Sequence, residues 1–419
     1  MKAFKSLLLL IFPLFLFIAS CCITDPEDKD PPKPPGYQED IPWPSLADSP
    51  WPMFRGDPQN TGRSKGLGPL SGIIEWSIDT INIHTGIVMG PDSTIYFGVV
   101  GDSSGLYALN LDGTIKWIFP IDIYSGLDPL SPIISSEGTI YISSPREYKL
   151  YAINSDGTLK WISEDVGFTF DDVGMNIGLD GTIFFRGFIP RTGNSGLYGI
   201  DKNGFVSISY LNEDLSEGMS FSPDGNTIYI SGIKGRAVYA FDILTQTIKW
   251  RFGQDIQAGI YHSPLIDNDG NIYVLSKDYL HSGSLFSIDP EGKVRWQYKL
   301  GAYSSYFNID IAMDKYGNIY LGYNTIVSVD YNGNLRWELE LDAPISSPIV
   351  IDQGNIIYFT TQISEEYIDI LAVTSNGEML WKLNYPDMLN YGNSYHGFAV
   401  GFGKLLYPGY KTQKIISIN

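Results

Sequence analysis

Residues 106–117 read LYALNLDGTIKW, and that phrase returns along the chain. Copies stand at LYAINSDGTLKW (150–161), VYAFDILTQTIKW (238–250), LFSIDPEGKVRW (285–296), IVSVDYNGNLRW (326–337) and ILAVTSNGEMLW (370–381). A further copy, LYGIDKNGFVSI (197–208), carries Ile208 where the others carry tryptophan. A second phrase precedes each: STIYFG (93–98), GTIYIS (138–143), GTIFFR (181–186), NTIYIS (226–231), GNIYVL (270–275), GNIYLG (317–322), NIIYFT (355–360) and KLLYPG (404–409). From Trp76 to Trp381 the mean period is about 43.6 residues, the spacing of a repeat protein.

Each unit holds short runs of Ile, Val, Tyr and Phe broken by Gly, Asp and Asn, the pattern of strands and tight turns. The DG, NG and EG pairs supply positive-φ turn residues. Four antiparallel strands repeated every 40–45 residues make a propeller blade. In the second unit, SPIIS is innermost, followed outward by TIYIS, LYAIN and TLKWIS. Trp76, Trp117, Trp161, Trp250, Trp296, Trp337 and Trp381 fall on the outermost strand. A blade buries both faces only by stacking on its neighbours, so these indoles are read as blade-docking residues.

The count then predicts how the ring closes. The terminal KIISIN (414–419) is a third strand with no outer partner, and GIIEWSI (72–78) is an outer strand with no inner one. Pairing 72–78 with 415–419 completes an eighth blade and removes two open edges. The expectation is an all-β, eight-bladed propeller over 72–419, preceded by a lead-in segment at 51–71.

The first fifty residues read as targeting and tether. Residues 1–5 are basic, and 6–18 are apolar but short for a bilayer span. Residues 23–50 hold eight prolines and an acidic cluster from Asp25 to Asp30, a composition that favours extended chain. Both cysteines of the chain lie in this leader, at 21 and 22. Loss of residues 1–20 would remove Lys2 and Lys5 and take the formal charge from −19 to −21. Such a polyanion is repelled by nucleic acid and anionic headgroups, which excludes nucleic acid as a partner.

Two resemblances add to this reading. Ile18-Ala19-Ser20-Cys21 resembles the bacterial lipobox, which implies a signal peptide over 1–20, lipidation of Cys21 and a Pro-rich acidic tether over 21–50. The same residues also fit an ordinary secretory signal with incidental cysteines. The acidic run after Cys21 looks like a surface-export signal, and a solvated linker explains it equally. Ala108, Asn110, Gly113 and Trp117, repeated at Ala152, Asn154, Gly157 and Trp161, resemble the pyrroloquinoline-quinone-like β-propeller repeat. WPMFRGDPQNTG (51–62) also looks like the stretch that leads into such propellers. That family includes quinoprotein dehydrogenases, kinase sensor domains and non-catalytic lipoproteins such as the outer-membrane-assembly propeller. The lipobox favours the last type. The dehydrogenase type's vicinal cysteines are missing from the propeller, and no loop carries recognisable calcium and quinone ligands.

Ligands of propellers usually meet the loops that enter the innermost strands and those that join the second and third strands. Here the first set is acidic and aromatic, and the second carries Arg146, Lys149, Arg186, Arg191, Lys234 and Arg236. Exposed aromatics beside charges suit protein and sugar partners. Phe168, Phe170, Arg191, Tyr303, Tyr306, Tyr391 and Tyr395 are therefore the candidate binding face, with ordinary surface loops as the alternative. His84 and His262 share a repeat position, and His396 stands close to it. Imidazoles bind zinc or copper, but hydrogen-bonded histidines at the channel mouth need no convergence across the ring, so no metal is expected. IDNDGN (266–271) lacks the acid six residues past its glycine, where Ser276 stands, and reads as a turn rather than a calcium loop. No nucleophile elbow or phosphate loop is present. The expected function is a non-enzymatic scaffold that binds protein partners through one loop face. It needs no cofactor and is anchored by lipid on the extracytoplasmic side of a bacterial membrane, the outer one foremost. The alternatives are a quinone- or metal-dependent oxidoreductase and a polysaccharide-binding surface lipoprotein.

Overall fold

The computed structural model describes residues 33–79, 83–123, 130–168, 174–188, 195–212, 215, 218–232, 236–253, 259–277, 282–302, 311–364, 366–387, 397–409 and 412–419. All of these but Lys33 and Pro34 belong to one compact unit, Pro35–Asn419. Among them there is no helix.

The unit is an eight-bladed propeller. Blades one to seven span 88–120, 133–162, 167–211, 219–252, 259–302, 312–340 and 350–385. Each is an antiparallel sheet in sequence order from the inside out. In blade three the innermost position is divided between Gly167–Phe168 and Asn176–Ile177, both paired with Ile183–Phe188. Blade eight is built from both ends of the unit: Ala399–Gly401, Lys404–Gly409 and Lys414–Ile418 are completed by Ile74–Asp79. Trp76 lies opposite Ser417, and Ser77 opposite Ile416. The ring closes as the repeat count requires, with the paired segment at 74–79 and 414–418.

The tryptophans show how one blade holds the next. All seven are half-buried on outermost strands. Within its own blade, each indole from Trp117 onward packs on a second-strand tyrosine. Tyr96–Trp117, Tyr141–Trp161, Tyr273–Trp296 and Tyr358–Trp381 have ring centroids 5.7–5.9 Å apart. Six of the seven also donate Nε1–H to a turn carbonyl of the following blade. Trp76 reaches Leu111 and Trp117 reaches Ser155 at 3.0 Å, and Trp161 reaches Lys202 at 2.8 Å. Trp250 reaches Pro290, Trp296 reaches Tyr331 and Trp337 reaches Ser375 at 2.8–3.0 Å. The turn glycine of the repeat faces the same ring: a Cβ on Gly157 (φ 85°) would lie 2.8 Å from Trp117 Cδ2, and one on Gly333 2.6 Å from Trp296. The glycine thus meets two demands at once, a left-handed backbone and the approach of an indole.

The exceptions follow the same logic. Ile208 faces blade four, and there the turn Ile243-Leu244-Thr245-Gln246 has no glycine, Gln246 taking the positive φ of 52°. Trp381 meets the seam of blade eight, where Gly72 stands in for the turn glycine. The Asn419 amide donates to the Ile73 carbonyl at 2.9 Å, as Asn110 does to Thr114 within an unbroken turn at 2.8 Å. Blade eight therefore has the usual outer turn, assembled from two distant chain segments. Among the described residues, Trp381 is the one blade tryptophan whose buried Nε1 has no acceptor.

A bulge precedes each outer-strand tryptophan, and where the bulged residue is Lys or Arg it reaches back across the blade. Lys116 meets Asp92 and Thr94, and Lys160 meets Glu137 and Thr139. Arg295 reaches Tyr273 and Ser287. In the closing blade the polarity is reversed, with Glu75 at the bulge and Lys404 as its partner.

The stretch 35–50, expected as part of the tether, packs against the ring instead. Trp43 and Leu46 are buried in the core of blades two to four. The Trp43 indole donates to the Ile177 carbonyl at 2.8 Å and the Ala47 amide to Ile134 at 3.0 Å. The reason is physical: prolines disfavour regular structure, but a Pro-rich chain still buries Trp and Leu wherever a groove accepts them.

Two outcomes test this account. Deleting 414–419 removes a whole paired strand, and calorimetry should lose the single cooperative transition. Gly157→Ala should destabilise by about 2–4 kcal/mol, a strained φ plus displacement of Trp117. Gly181→Ala, at φ 87° with no atom within 4 Å, should cost only about 1–2 kcal/mol. Equal losses in urea titrations would remove the indole contact from the account.

Candidate functional site

A propeller has two ends and a central channel, and here the ends differ. Innermost strands leave backbone groups facing the channel, and these need partners. The segment 51–66 supplies them from the end where innermost strands turn into second strands. The Met89 amide donates to the Trp51 carbonyl at 2.8 Å, Ile134 to Pro52 at 2.9 Å and Phe221 to Pro58 at 2.9 Å. Ile266 donates to Gln59 at 3.0 Å, Met313 to Thr61 at 2.9 Å and Ile351 to Gly62 at 2.8 Å. Asn176 Nδ2 donates to Pro58 at 3.0 Å, and Ser64 Oγ donates to Val400 at 2.7 Å. This single segment therefore bonds to all eight blades and acts as a hub.

Its core holds two charged side chains, Arg55 buried and Asp57 half-buried. Arg55, 2% exposed, donates to the Ile349 carbonyl at 2.8 Å and to the Ile311 carbonyl. The Asp57 carboxylate accepts from the amides of Gln59 and Thr61 at 3.1 Å each, and from the Thr61 hydroxyl. Burial pushes the Asp57 carboxyl up, and the Thr61 bonds and the Arg63 and Arg55 charges restrain the rise. Phe54 is also buried, and a methyl group added at Gly174 would come within 3.1 Å of it. The hub was read from the sequence only as a lead-in. Its density of Pro, Gly and Asn signalled a fixed irregular path but not a route through the ring.

The opposite end carries the loops expected to bind. There the two loop sets meet in ion pairs: Arg146 Nε with Asp122 at 2.8 Å, and Lys149 Nζ with Asp165 at 2.6 Å. Lys149 also donates to the Ser163 carbonyl at 2.9 Å. At these two places a base of one loop set is paired with an acid of the other. Of the expected binding residues, Phe168 is described by its backbone, which pairs with Gly187. Phe170, Arg191, Tyr303, Tyr306, Tyr391 and Tyr395 lie outside the described residues, as does Cys21.

The histidines are placed only in part. The half-buried His84 donates its amide to the Gly98 carbonyl at 3.3 Å. The His262 backbone runs in Gly259–Ile266, and His396 lies outside the described residues. Among the described residues no three His, Cys, Asp or Glu side chains are grouped as metal ligands. The sequence IDNDGN forms a turn in which Asp267 accepts from the amides of Asp269 and Asn271 and from the Tyr273 hydroxyl at 2.8–2.9 Å.

Removing the hub cation gives a direct test. Arg55→Ala leaves two buried carbonyls short of a donor and should cost about 3 kcal/mol or more in urea unfolding. The rim substitution Ile118→Ser should stay within about 0.5 kcal/mol.

No protein-family model matches the chain, and no curated protein matches it. Solved structures do. A europium-containing methanol dehydrogenase aligns over 86% of this chain and 90% of its own, with a TM-score of 0.61 and 13% identity. Sqt1 of Saccharomyces cerevisiae aligns over 84% and 98%, with a TM-score of 0.57 and 11% identity. The Dos1 propeller aligns over 84% and 95%, with a TM-score of 0.55 and 13% identity. At such identities the likeness is one of fold: the chain is a β-propeller, similar both to an enzyme and to proteins not named as enzymes.

Proposed function

We propose that this chain is a non-enzymatic binding or assembly scaffold of the pyrroloquinoline-quinone-like repeat type, engaging protein partners through one end of the ring. The observation that carries this reading is the hub. It bonds to all eight blades from one end, which leaves the opposite end, with its ion pairs and its long connections rich in aromatic residues, as the face on which a partner lands. Charges of both signs on one face favour register and partner choice over raw affinity. The basic and apolar segment before Cys21 supports a reading of export with a lipid anchor, in which the ring would lie outside the cytoplasm beside a membrane, the outer one foremost.

Alanine at Tyr303, Tyr306, Tyr391 and Tyr395 together should abolish capture of partners cross-linked in native membranes and leave the melting temperature unchanged. Retained capture overturns the face assignment. Cys21→Ser should move the protein from the detergent phase to the aqueous phase on Triton X-114 partition. Unchanged partition removes the anchor.

The fold shared with a methanol dehydrogenase supports a second reading, a quinone- or metal-dependent oxidoreductase. Pyrroloquinoline quinone added with calcium should then produce a bound-quinone absorbance and dye reduction. The scaffold reading expects neither.

A further inference from the structure

Beyond the loop face, the rim carries a surface at the one place where the repeat breaks. Between blades three and four the indole is replaced by Ile208, and a groove of about 360 Å³ lies against it, its floor made by Leu179, Phe184, Ile208 and Ile243. Its charged lining residues are Asp180 and Asp201. In the turns that supply its lining, Leu244 next to Ile243 is 91% exposed, and Phe205, between Asp201 and Ser207, is 57% exposed. Leu244 is not needed for blade docking, because its turn has no tryptophan to receive, whereas Phe205 follows Gly204 in the turn that receives Trp161.

Across the turn at 222–227 lies a second groove, of about 580 Å³, lined by Tyr229, Trp250, Pro223 and Pro290. Its charged lining is Asp224, Asp269 and Glu291 against Lys249. The two grooves together thus present five carboxylates and one ammonium around apolar floors. Burial pushes the Asp201 and Asp224 carboxyls up. Hydrogen bonds from Phe205 and Asn203, and from Ser222 and Asn226, outweigh burial and hold both below the usual range, so both are charged at neutral pH.

We propose that these paired grooves dock a segment of a partner protein in which large apolar side chains alternate with lysine or arginine. The apolar floors take the large side chains, a role Ile208 leaves open by being smaller than tryptophan. The carboxylates select the cations, and acidic segments are turned away by the same charges. This site is on the rim and stands independently of the loop face.

Fluorescence anisotropy on the full chain tests it, with a labelled decapeptide alternating leucine and tryptophan with lysine, and its counterpart with glutamate for lysine. The lysine peptide should bind at least about tenfold tighter and weaken as salt rises from about 0.05 to 0.5 M. Leu244→Ser with Phe205→Ser should lower that affinity by about tenfold or more, and so should Ile208→Trp, which fills the first groove. Neutral serines keep the net charge, so a loss reports the surface rather than bulk attraction. The four-tyrosine alanine variant of the loop face should bind the peptide unchanged. Equal affinity for the two peptides, or full affinity in both groove variants, overturns the proposal.

Discussion

The ring depends on one contact, an indole laid across a turn glycine of the next blade. Six of the seven tryptophans also pack on a tyrosine of their own sheet, and six donate one hydrogen bond forward. That contact sets the spacing between neighbouring sheets and needs the same two residues in every unit. Where one is lost the other goes with it: Ile208 faces a turn without glycine. The pairing is compensated in place, so the ring tolerates one different joint. The difference then becomes available for something other than stability, which is why the rim between blades three and five draws attention.

Closure follows a second rule. The N-terminal strand carries Glu75 at the bulge where most other blades carry Lys or Arg, and its partner is Lys404. In blade one or two, Glu75 would meet Asp92 or Glu137 instead of a cation. The reversed pair therefore favours the correct sheet. At the surface its energy is modest, on the order of 1 kcal/mol, but discrimination needs only a difference, and here attraction in one blade is set against repulsion in others.

Much of this was legible in the sequence because it is periodic. The tryptophans, the turn glycines and the terminal strand repeat or complete a repeat, and a period survives even where single propensities are ambiguous. The closing strand came out displaced by a residue or two, since the ends of a ladder are set by neighbouring turns rather than by the apolar pattern. The path of 35–66 was not legible. It has no periodicity, and its bonds are mostly backbone to backbone, so residue type says little about which strand it touches. The same holds for the grooves beside Ile208: Leu179, Asp201 and Ile243 come from three separate turns and share no local signal. The loop-face residues were chosen for chemistry alone, as aromatics and bases on long connections, and that choice carries no geometry.

The hub has a consequence for biosynthesis. Residues 51–66 and 74–79 leave the ribosome before any blade exists, yet their partners run as far as Val400 and Ile418. The earliest-made part of the domain must wait for the latest, held apart from premature pairing until the final sheet emerges. A chain stalled late in translation would therefore keep its plug and its latch strand unplaced, and a chaperone that shields extended segments would find them there.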